Sequence, residues 1–300
     1  MEPMVSVVIP TYKRSEMLPR AIKSVLSQTY KNVQVVVVDD NNPDSEYRIR
    51  TKEIVHQFDG DLRVKYVLHE KNMNGSVARN TGIRNADGEI VAFLDDDDVW
   101  KPEKIQKQLE AFDSEKIALV YCNYEIYNET ASKISNPNIP FIKGNVFDEL
   151  MRNNFIGSTS FPLLRKSVVD DLGGFDVLLE SSQDYDMWIR MARNYYVNYV
   201  DEVLVTYYVH GENQITKSYK KRISGHERII EKNINYYKSH TKAYCETHRK
   251  LLCEYAGDGR YFDALKLCGK VFLKSPFSIL SNIKCSLSII KLIIKNTIRR

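Results

Sequence analysis

Residues 35–42 read VVVVDDNN: four β-branched apolar residues, then two carboxylates and two amides with no spacer between them. A run without polar alternation is how a strand buried on both faces reads, and such strands belong to parallel sheets covered by helices. Working outward, residues 5–9 and 33–38 are runs of this kind, 63–68 and 90–94 are shorter ones, and 117–122 is a fifth. Between them the period changes to a helical one. Ser15 is placed to cap a helix carrying Leu18, Ile22, Val25 and Leu26 at helical spacing, with Pro19 tolerated in its first turn. Further helices are expected over 47–58, 76–85 and 102–112, the last opened by Pro102. Strand–helix alternation of this kind predicts an α/β fold, with a mainly parallel sheet flanked by helices.

After about residue 122 the rhythm loosens into short elements through Tyr207, with a loop at Asn136-Pro137-Asn138-Ile139-Pro140. From Lys217 onward the pattern is helical, broken into three pieces at Gly257-Asp258-Gly259 and Ser275-Pro276. Charge divides the chain at the same place. Residues 1–216 hold 24 Lys and Arg against 33 Asp and Glu, a net −9, whereas 217–300 hold 19 against 6, a net +13. The division predicts a domain over 1–216 and a basic helical C-terminal extension over 217–300, facing something anionic. Five scattered cysteines without a CxxC pair read as reduced thiols of a cytoplasmic protein. The N-terminus enters a strand at once with no basic leader, and no run nears the roughly 18 apolar residues of a spanning helix.

In parallel α/β sheets ligands bind outside the carboxyl ends of the strands. Those ends carry Pro10-Thr11-Tyr12, Asp39-Asp40 and Asp95-Asp96-Asp97-Asp98. Turn formation and helix capping account for one or two of these acids. Four in succession repel one another and raise each other's pKa, which a hard divalent cation relieves. All-oxygen ligands suit Mg²⁺ or Mn²⁺, so the run reads as a metal or phosphate-linked site. Neither a G-x-G-x-x-G turn nor a GxxxxGK[ST] loop follows the first strand, and no glycine occurs before Gly60. Dinucleotide and P-loop folds are thereby excluded. A nucleotidyltransferase wants a glycine-rich, Arg-containing loop there, which is also missing.

These motifs resemble family 2 glycosyltransferases of the GT-A fold. The resemblance rests on SVVIPTYKR from Ser6, VVVVDDNN, Gly75 with Ala78-Arg79-Asn80 and Gly82, FLDDDDVWKPEK, Gly173-Gly174-Phe175-Asp176, and Ser182-Gln183-Asp184-Tyr185-Asp186-Met187-Trp188, in that order over roughly residues 4–216. It implies an inverting transfer from a UDP- or dTDP-sugar to a glycan hydroxyl, with Mn²⁺ or Mg²⁺ as cofactor. By the same resemblance Pro10, Thr11 and Tyr12 line the nucleobase pocket and Asp40 accepts a hydrogen bond from a uracil or thymine nitrogen. Arg79 lies near the base or diphosphate, Asp95 and Asp96 face ribose and sugar, and the D-x-D signature falls on Asp95 and Asp97, with Asp97 holding the metal. Asp184 is the implied general base, although a place at the start of a helix also explains an acid there. His210 reads either as a satisfied structural residue or, through the family's closing motif over 208–216, as a group beside the diphosphate and the metal. A scaffold that had lost its chemistry would not need both Asp97 and Asp184.

The resemblance further implies cell-envelope or capsular polysaccharide synthesis on a lipid-linked glycan acceptor. On a helical wheel Lys284, Lys291, Lys295 and Arg299 share a sector about 80° wide, and Ile279, Leu280, Ile283, Leu287, Ile290 and Ile294 fill the broad remainder. A helix so patterned lies on an anionic membrane surface, here the inner face of the cell membrane, or packs against protein. Its basic residues are not interleaved with aromatics, which argues against nucleic acid.

Overall fold

The computed structural model describes residues 2–137, 139–210 and 218–276. The chain divides into two compact units: Met1–Phe147, Phe155–Leu178 and Asp184–Gly211 form one, and Asp148–Asn154, Leu179–Gln183 and Glu212–Arg300 form the other.

The first unit is the expected α/β body. Its chain order begins β1 (Val5–Thr11), α1 (Leu18–Leu26), β2 (Val33–Asp39), α2 (Glu46–Val55), β3 (Val64–Leu68), α3 (Gly75–Arg84) and β4 (Ile90–Phe93). It continues β5 (Val99–Trp100), α4 (Lys104–Glu110), β6 (Ile117–Asn128), β7 (Lys133–Ser135), then, past α5 (Phe147–Leu150), whose last three residues belong to the other unit, β8 (Leu163–Arg165), α6 (Lys166–Asp171), α7 (Gln183–Ala192) and β9 (Tyr196–Val209). Among the described residues one sheet runs β3-β2-β1-β4-β8-β6-β9-β5, with β7 beside β6. The pairs β1–β2, β1–β4, β2–β3 and β6–β9 are parallel, and the short β5, β7 and β8 run against their neighbours.

The valine runs lie where their composition sends them. Val5, Val7, Val8 and Ile9 are buried completely, as are Val35–Val38. Leu18, Ala21, Ile22 and Val25 of α1 close one side of this core. On α3, Gly82 lets the helix press against β1, since a Cβ there would lie 2.1 Å from a methyl of Val8. Register fixes the binding edge. Thr11 pairs with Asp39 at the ends of β1 and β2, and Val8 pairs with Phe93 at the end of β4, so the residues that follow emerge along one margin.

Several expectations need correction. Ser15 does not cap α1: the helix begins after Met17, and Ser15 is buried inside a turn closed by the Met17 amide on the Arg14 carbonyl. Helix α4 begins two residues past Pro102, which sits in the preceding turn. The strand expected to stop at Cys122 runs on to Asn128, because Asn123–Asn128 pair with the last part of β9 while staying half-buried. The short elements expected before Tyr207 are present as β7, α5, β8 and α6, but strand β9, 14 residues long, was not expected; Asn198, Asp201 and Glu202 hide its pattern, and register shifts interrupt its pairing with β6.

The second unit is helical: α8 (Tyr219–Lys232), α9 (Ile234–Ser239), α10 (Thr241–Gly257) and α11 (Tyr261–Lys274). Leu252, Ala256 and Ala264 form the seam between α10 and α11, and Gly259 turns between them at φ +83°. Two breaks were not expected. Asn233 ends α8 with its side chain on the Ile229 carbonyl (2.7 Å), and His240 ends α9. Glu254, almost fully buried, is paired with Arg222 and hydrogen-bonded to His226 Nδ1, at 2.7 Å each. The amphipathic segment expected from Pro276 to Arg300 lies, beyond Pro276, outside the described residues, as do positions 211–216 of the closing motif. Among the described residues no helix is long and apolar enough to cross a membrane.

Candidate active site

The four acids after β4 meet three arginines, the Thr11 hydroxyl and a backbone amide, with Arg14 shared by the second and third. Asp95 receives Arg79 Nη2 at 2.6 Å. Asp96 accepts the Thr11 hydroxyl at 2.8 Å and Arg14 Nη1 at 3.2 Å. Asp97 takes the same Arg14 guanidinium, and its backbone carbonyl accepts Arg20 Nη2 at 2.8 Å. Asp98 closes the turn with its amide on the Asp95 carbonyl (3.0 Å) and accepts the Tyr208 amide through Oδ1 at 3.1 Å. Asp96, Asp97 and Asp98 are all buried. Burial pushes Asp96 up to about 7, against the pull of Arg14 and with the neighbouring Asp97 adding to the rise. Burial likewise raises Asp97, and Asp98 more strongly. Carboxylates in this condition favour any cation that reaches them.

His210 follows β9 directly. Its Nδ1 meets Glu129 Oε2 at 2.7 Å, and its Nε2 lies 3.6 Å from Asp97 Oδ2. That Nε2 is buried and has no hydrogen-bond partner. A carboxylate on Nδ1 makes that nitrogen the N–H donor, so in the neutral ring Nε2 carries a lone pair directed towards an acid. Two electron-pair donors facing one another suit a divalent cation. Among the described residues no three His, Cys, Asp or Glu side chains form a ready-made metal cage, and Asp95 does not complete one with Asp97 and His210. A half-site of two ligands is what a cation needs when phosphate oxygens and water supply the rest of its shell. The residues present therefore fit Mn²⁺ or Mg²⁺.

The other expected residues stand along the same margin. Pro10 is half-buried, Thr11 is buried, and Tyr12 is exposed, with Lys13 Nζ 5.1 Å from its ring centre. Asp40 is buried, and both of its oxygens are engaged: Oδ1 by His69 Nδ1 (2.7 Å) and the Met73 amide (2.8 Å), Oδ2 by Asn72 Nδ2 (2.8 Å) and the Asn74 amide (3.1 Å). Its neighbour Asp39 is wholly structural, fully buried and held by Arg48, Asn41 and Tyr66. Arg79 is fixed by the Gly173-Gly174-Phe175 segment as well as by Asp95, since its guanidinium lies 5.8 Å from the Phe175 ring centre. Asn80 exchanges two hydrogen bonds with the Phe175 backbone, at 2.7 and 2.8 Å. Gly174, at φ +74°, leaves room for that amide, because a Cβ there would stand 2.4 Å from Asn80 Oδ1.

Asp184 is the second residue of α7, inside the first turn rather than at its cap, where the amide dipoles favour an anion. It is half-buried. The phenol of Tyr207 locates it electrostatically: burial, then the charges of Asp98, Asp95, Asp97 and Asp184, all push the Tyr207 pKa up. The charges of Asp95, Asp97, Asp98 and Asp184 thus all reach one phenol. Further along α7, Trp188 is fully buried with Nε1 on the Gly157 carbonyl (3.0 Å), which anchors the helix that carries Asp184.

Sequence reading missed four contributors. Arg14, Arg20, His69 and Glu129 all reach the site across long stretches of chain, and only the arginine in SVVIPTYKR stood inside a quoted motif. Glu129 was hidden because β6 was expected to end at Cys122.

A GT-A-type fold with an acid-lined binding edge defines the class of protein. The family follows from comparison: a sequence model described as glycosyl transferase family 2 matches residues 6–173, more than half of the chain. The chain is 31% identical over 254 residues to the putative colanic acid biosynthesis glycosyl transferase WcaA of Escherichia coli (strain K12), covering 81% of this chain and 85% of that one. It is 30% identical to the UDP-Glc:alpha-D-GlcNAc-diphosphoundecaprenol beta-1,3-glucosyltransferase WfgD of Escherichia coli, over 64% of this chain and 70% of that one. An uncharacterized glycosyltransferase of Rickettsia felis is 32% identical over 67% of this chain, but the match spans only 32% of the relative's length. The chain belongs to glycosyl transferase family 2. Among solved structures, S. aureus TarS 1-349 in complex with UDP-GlcNAc superposes with a TM-score of 0.60 at 16% identity, over 97% of this chain and 89% of that one. The mannosyltransferase PcManGT from Pyrobaculum calidifontis, in complex with GDP-Man and Mn²⁺, gives 0.58 at 16% identity, over 99% and 88%. At such identities the likeness is one of fold.

Proposed function

We propose that the chain is an inverting glycosyltransferase moving a sugar from a UDP- or dTDP-sugar to a glycan hydroxyl. The observation that carries this reading is the acid run at the end of β4, held by Arg79, Thr11 and Arg14, with His210 Nε2 3.6 Å from Asp97. Residues 1–216 form the catalytic domain in this reading, and 217–300 the basic extension.

Pro10, Thr11 and Tyr12 receive the base. A ring N–H that reached Asp40 would take the place of one of its four donors, which couples base binding to the position of residues 72–74. Arg79 and Arg14, already paired with the acid run, bring positive charge to the diphosphate, and Asp96 faces the ribose and sugar. Asp97 and His210 would hold Mn²⁺ or Mg²⁺, which when bound would supply charge that stabilises the departing diphosphate without proton transfer. Asp184 takes the proton of the attacking hydroxyl, a contribution of about 10²–10⁴-fold. One base opposite one leaving group gives a single in-line displacement, hence inversion.

The relatives named for colanic acid synthesis and for a diphosphoundecaprenol acceptor support cell-envelope polysaccharide synthesis on a lipid-linked glycan. That acceptor, together with the +13 charge of residues 217–300, supports a cytoplasmic enzyme working at the inner face of the membrane. The test is a thermal-shift screen of UDP- and dTDP-sugars with Mn²⁺, followed by donor turnover. Stabilisation and turnover by one nucleotide class support the reading, and neither with any nucleotide-sugar overturns it.

A further inference from the structure

Strands β6 and β9 run parallel and end together: Asn128 pairs with Val209, and the Glu129 amide donates to the Val209 carbonyl at 3.2 Å. The residues just past that last pair, Glu129 and His210, are therefore delivered side by side. Glu129 Oε2 stands 2.7 Å from His210 Nδ1. The opposite nitrogen of the same ring lies 3.6 Å from Asp97 Oδ2, buried and without a hydrogen-bond partner. Glu129 is in turn steadied by Arg20, whose Nη1 lies 3.9 Å from Oε1. The Arg20 guanidinium stacks 3.6 Å from the Tyr208 ring centre, and its Nη2 donates to the Asp97 carbonyl at 2.8 Å. The contacts close a loop from Asp97 through Arg20, Glu129 and His210 back to Asp97.

We infer that Glu129 is a positioning residue for the cation site: it holds the His210 proton on Nδ1 and aims the bare Nε2 at the place where Asp97 would share a divalent cation. Carboxylates commonly serve metal-ligating histidines in this way, fixing tautomer and ring orientation, and their removal costs about 10–100-fold in metal affinity. The inference rests on the cation reading of the proposed site. A plain surface ion pair would use the same 2.7 Å contact, but it would not leave the far nitrogen buried, without a hydrogen-bond partner and 3.6 Å from a second acid.

The test uses the full chain with UDP present and follows free Mn²⁺ by its electron paramagnetic resonance signal. Glu129→Leu should weaken Mn²⁺ binding by about 10–100-fold, while Glu129→Gln, which keeps an acceptor for the Nδ1 proton, should recover most of it. His210→Ala should cause a similar loss, and the double variant Glu129→Leu/His210→Ala should lose little more, because one residue acts through the other. Nitrogen-15 NMR of His210 in the metal-free wild-type chain should place the proton on Nδ1, a measurement that needs no variant to fold. A proton on Nε2, unchanged Mn²⁺ affinity in a folded Glu129→Leu, or losses that add in the double variant would each overturn the inference alone. Equal Mn²⁺ affinity of wild type and His210→Ala would remove His210 from the cation site, and no Mn²⁺ binding by the wild type would remove the cation reading itself; both take the inference with them.

Discussion

Asp95, Asp96, Asp97 and Asp98 follow one another without a spacer, yet the fold gives each a separate task. Arg79 pairs with the first, Arg14 with the second and third, and the Thr11 hydroxyl donates to the second, while the fourth is spent on the turn and the Tyr208 amide. Removing the third should therefore be specific. Asp97→Ala is expected to lose donor turnover and the Mn²⁺-dependent part of nucleotide affinity, measured by calorimetry with and without the cation. Full wild-type turnover in excess EDTA would contradict the assignment. The acids themselves were legible in the sequence, because like charges crowded at a strand end need an explanation wherever they occur. Their partners were not. Arg14 lies more than 80 residues from the acids it neutralises, and Glu129 takes its meaning from the end of a strand whose length composition conceals.

At the scale of elements, the binding edge depends on how closely α3 lies on β1. A methyl at Gly82 would overlap the fully buried Val8, and overpacking of a core contact costs about 1–3 kcal/mol. Gly82→Ala should lower the urea midpoint of the first unit accordingly, and an unchanged midpoint would mean that helix and strand are not tightly joined. The glycine was visible as part of a motif; the reason for it needed the register. Strands β1 to β4 were readable because burial on both faces leaves nothing but apolar residues. Strands β6 and β9 were not, because their outer halves are half-buried and mix tyrosines with Asn, Asp and Glu. The Ser15 cap failed for a local reason: the Arg14 carbonyl closes a turn over it before the helix begins.

At the scale of the whole chain, the two units answer different stresses. In the helical unit, His248 stacks 3.8 Å from Tyr244 and donates its Nδ1–H to the Tyr244 carbonyl at 2.8 Å. Burial holds its pKa below the ordinary 6.5, against the Tyr244 hydrogen bond and with help from Lys270. The folded state therefore binds fewer protons than the unfolded chain as pH falls below 6.5, and stability is lost through that window and kept above it. Thermal unfolding compared at pH 7.5 and 5.5 should show a smaller drop in His248→Asn than in wild type; equal drops would exclude His248 as the cause. The basic extension makes a separate prediction. Truncation after Ser275 removes Lys284, Lys291, Lys295, Arg299 and Arg300 and should weaken binding to anionic vesicles, where each cation near the surface is worth about 1 kcal/mol. Vesicle binding equal to that of the full chain would exclude the segment as the anchor. A changed oligomeric state or unfolding would assign it to protein packing.

The proposed transfer depends on Asp184, the half-buried acid in the first turn of α7 whose charge, like those of Asp95, Asp97 and Asp98, reaches Tyr207. The direct measurement is Mn²⁺-dependent turnover of the donor selected by the screen, in wild type and Asp184→Asn, alongside UDP affinity. The account predicts a fall in kcat of about 10²–10⁴-fold with UDP affinity nearly unchanged, because the base acts on the acceptor proton alone. An Asn variant that keeps more than about a tenth of wild-type kcat would contradict it.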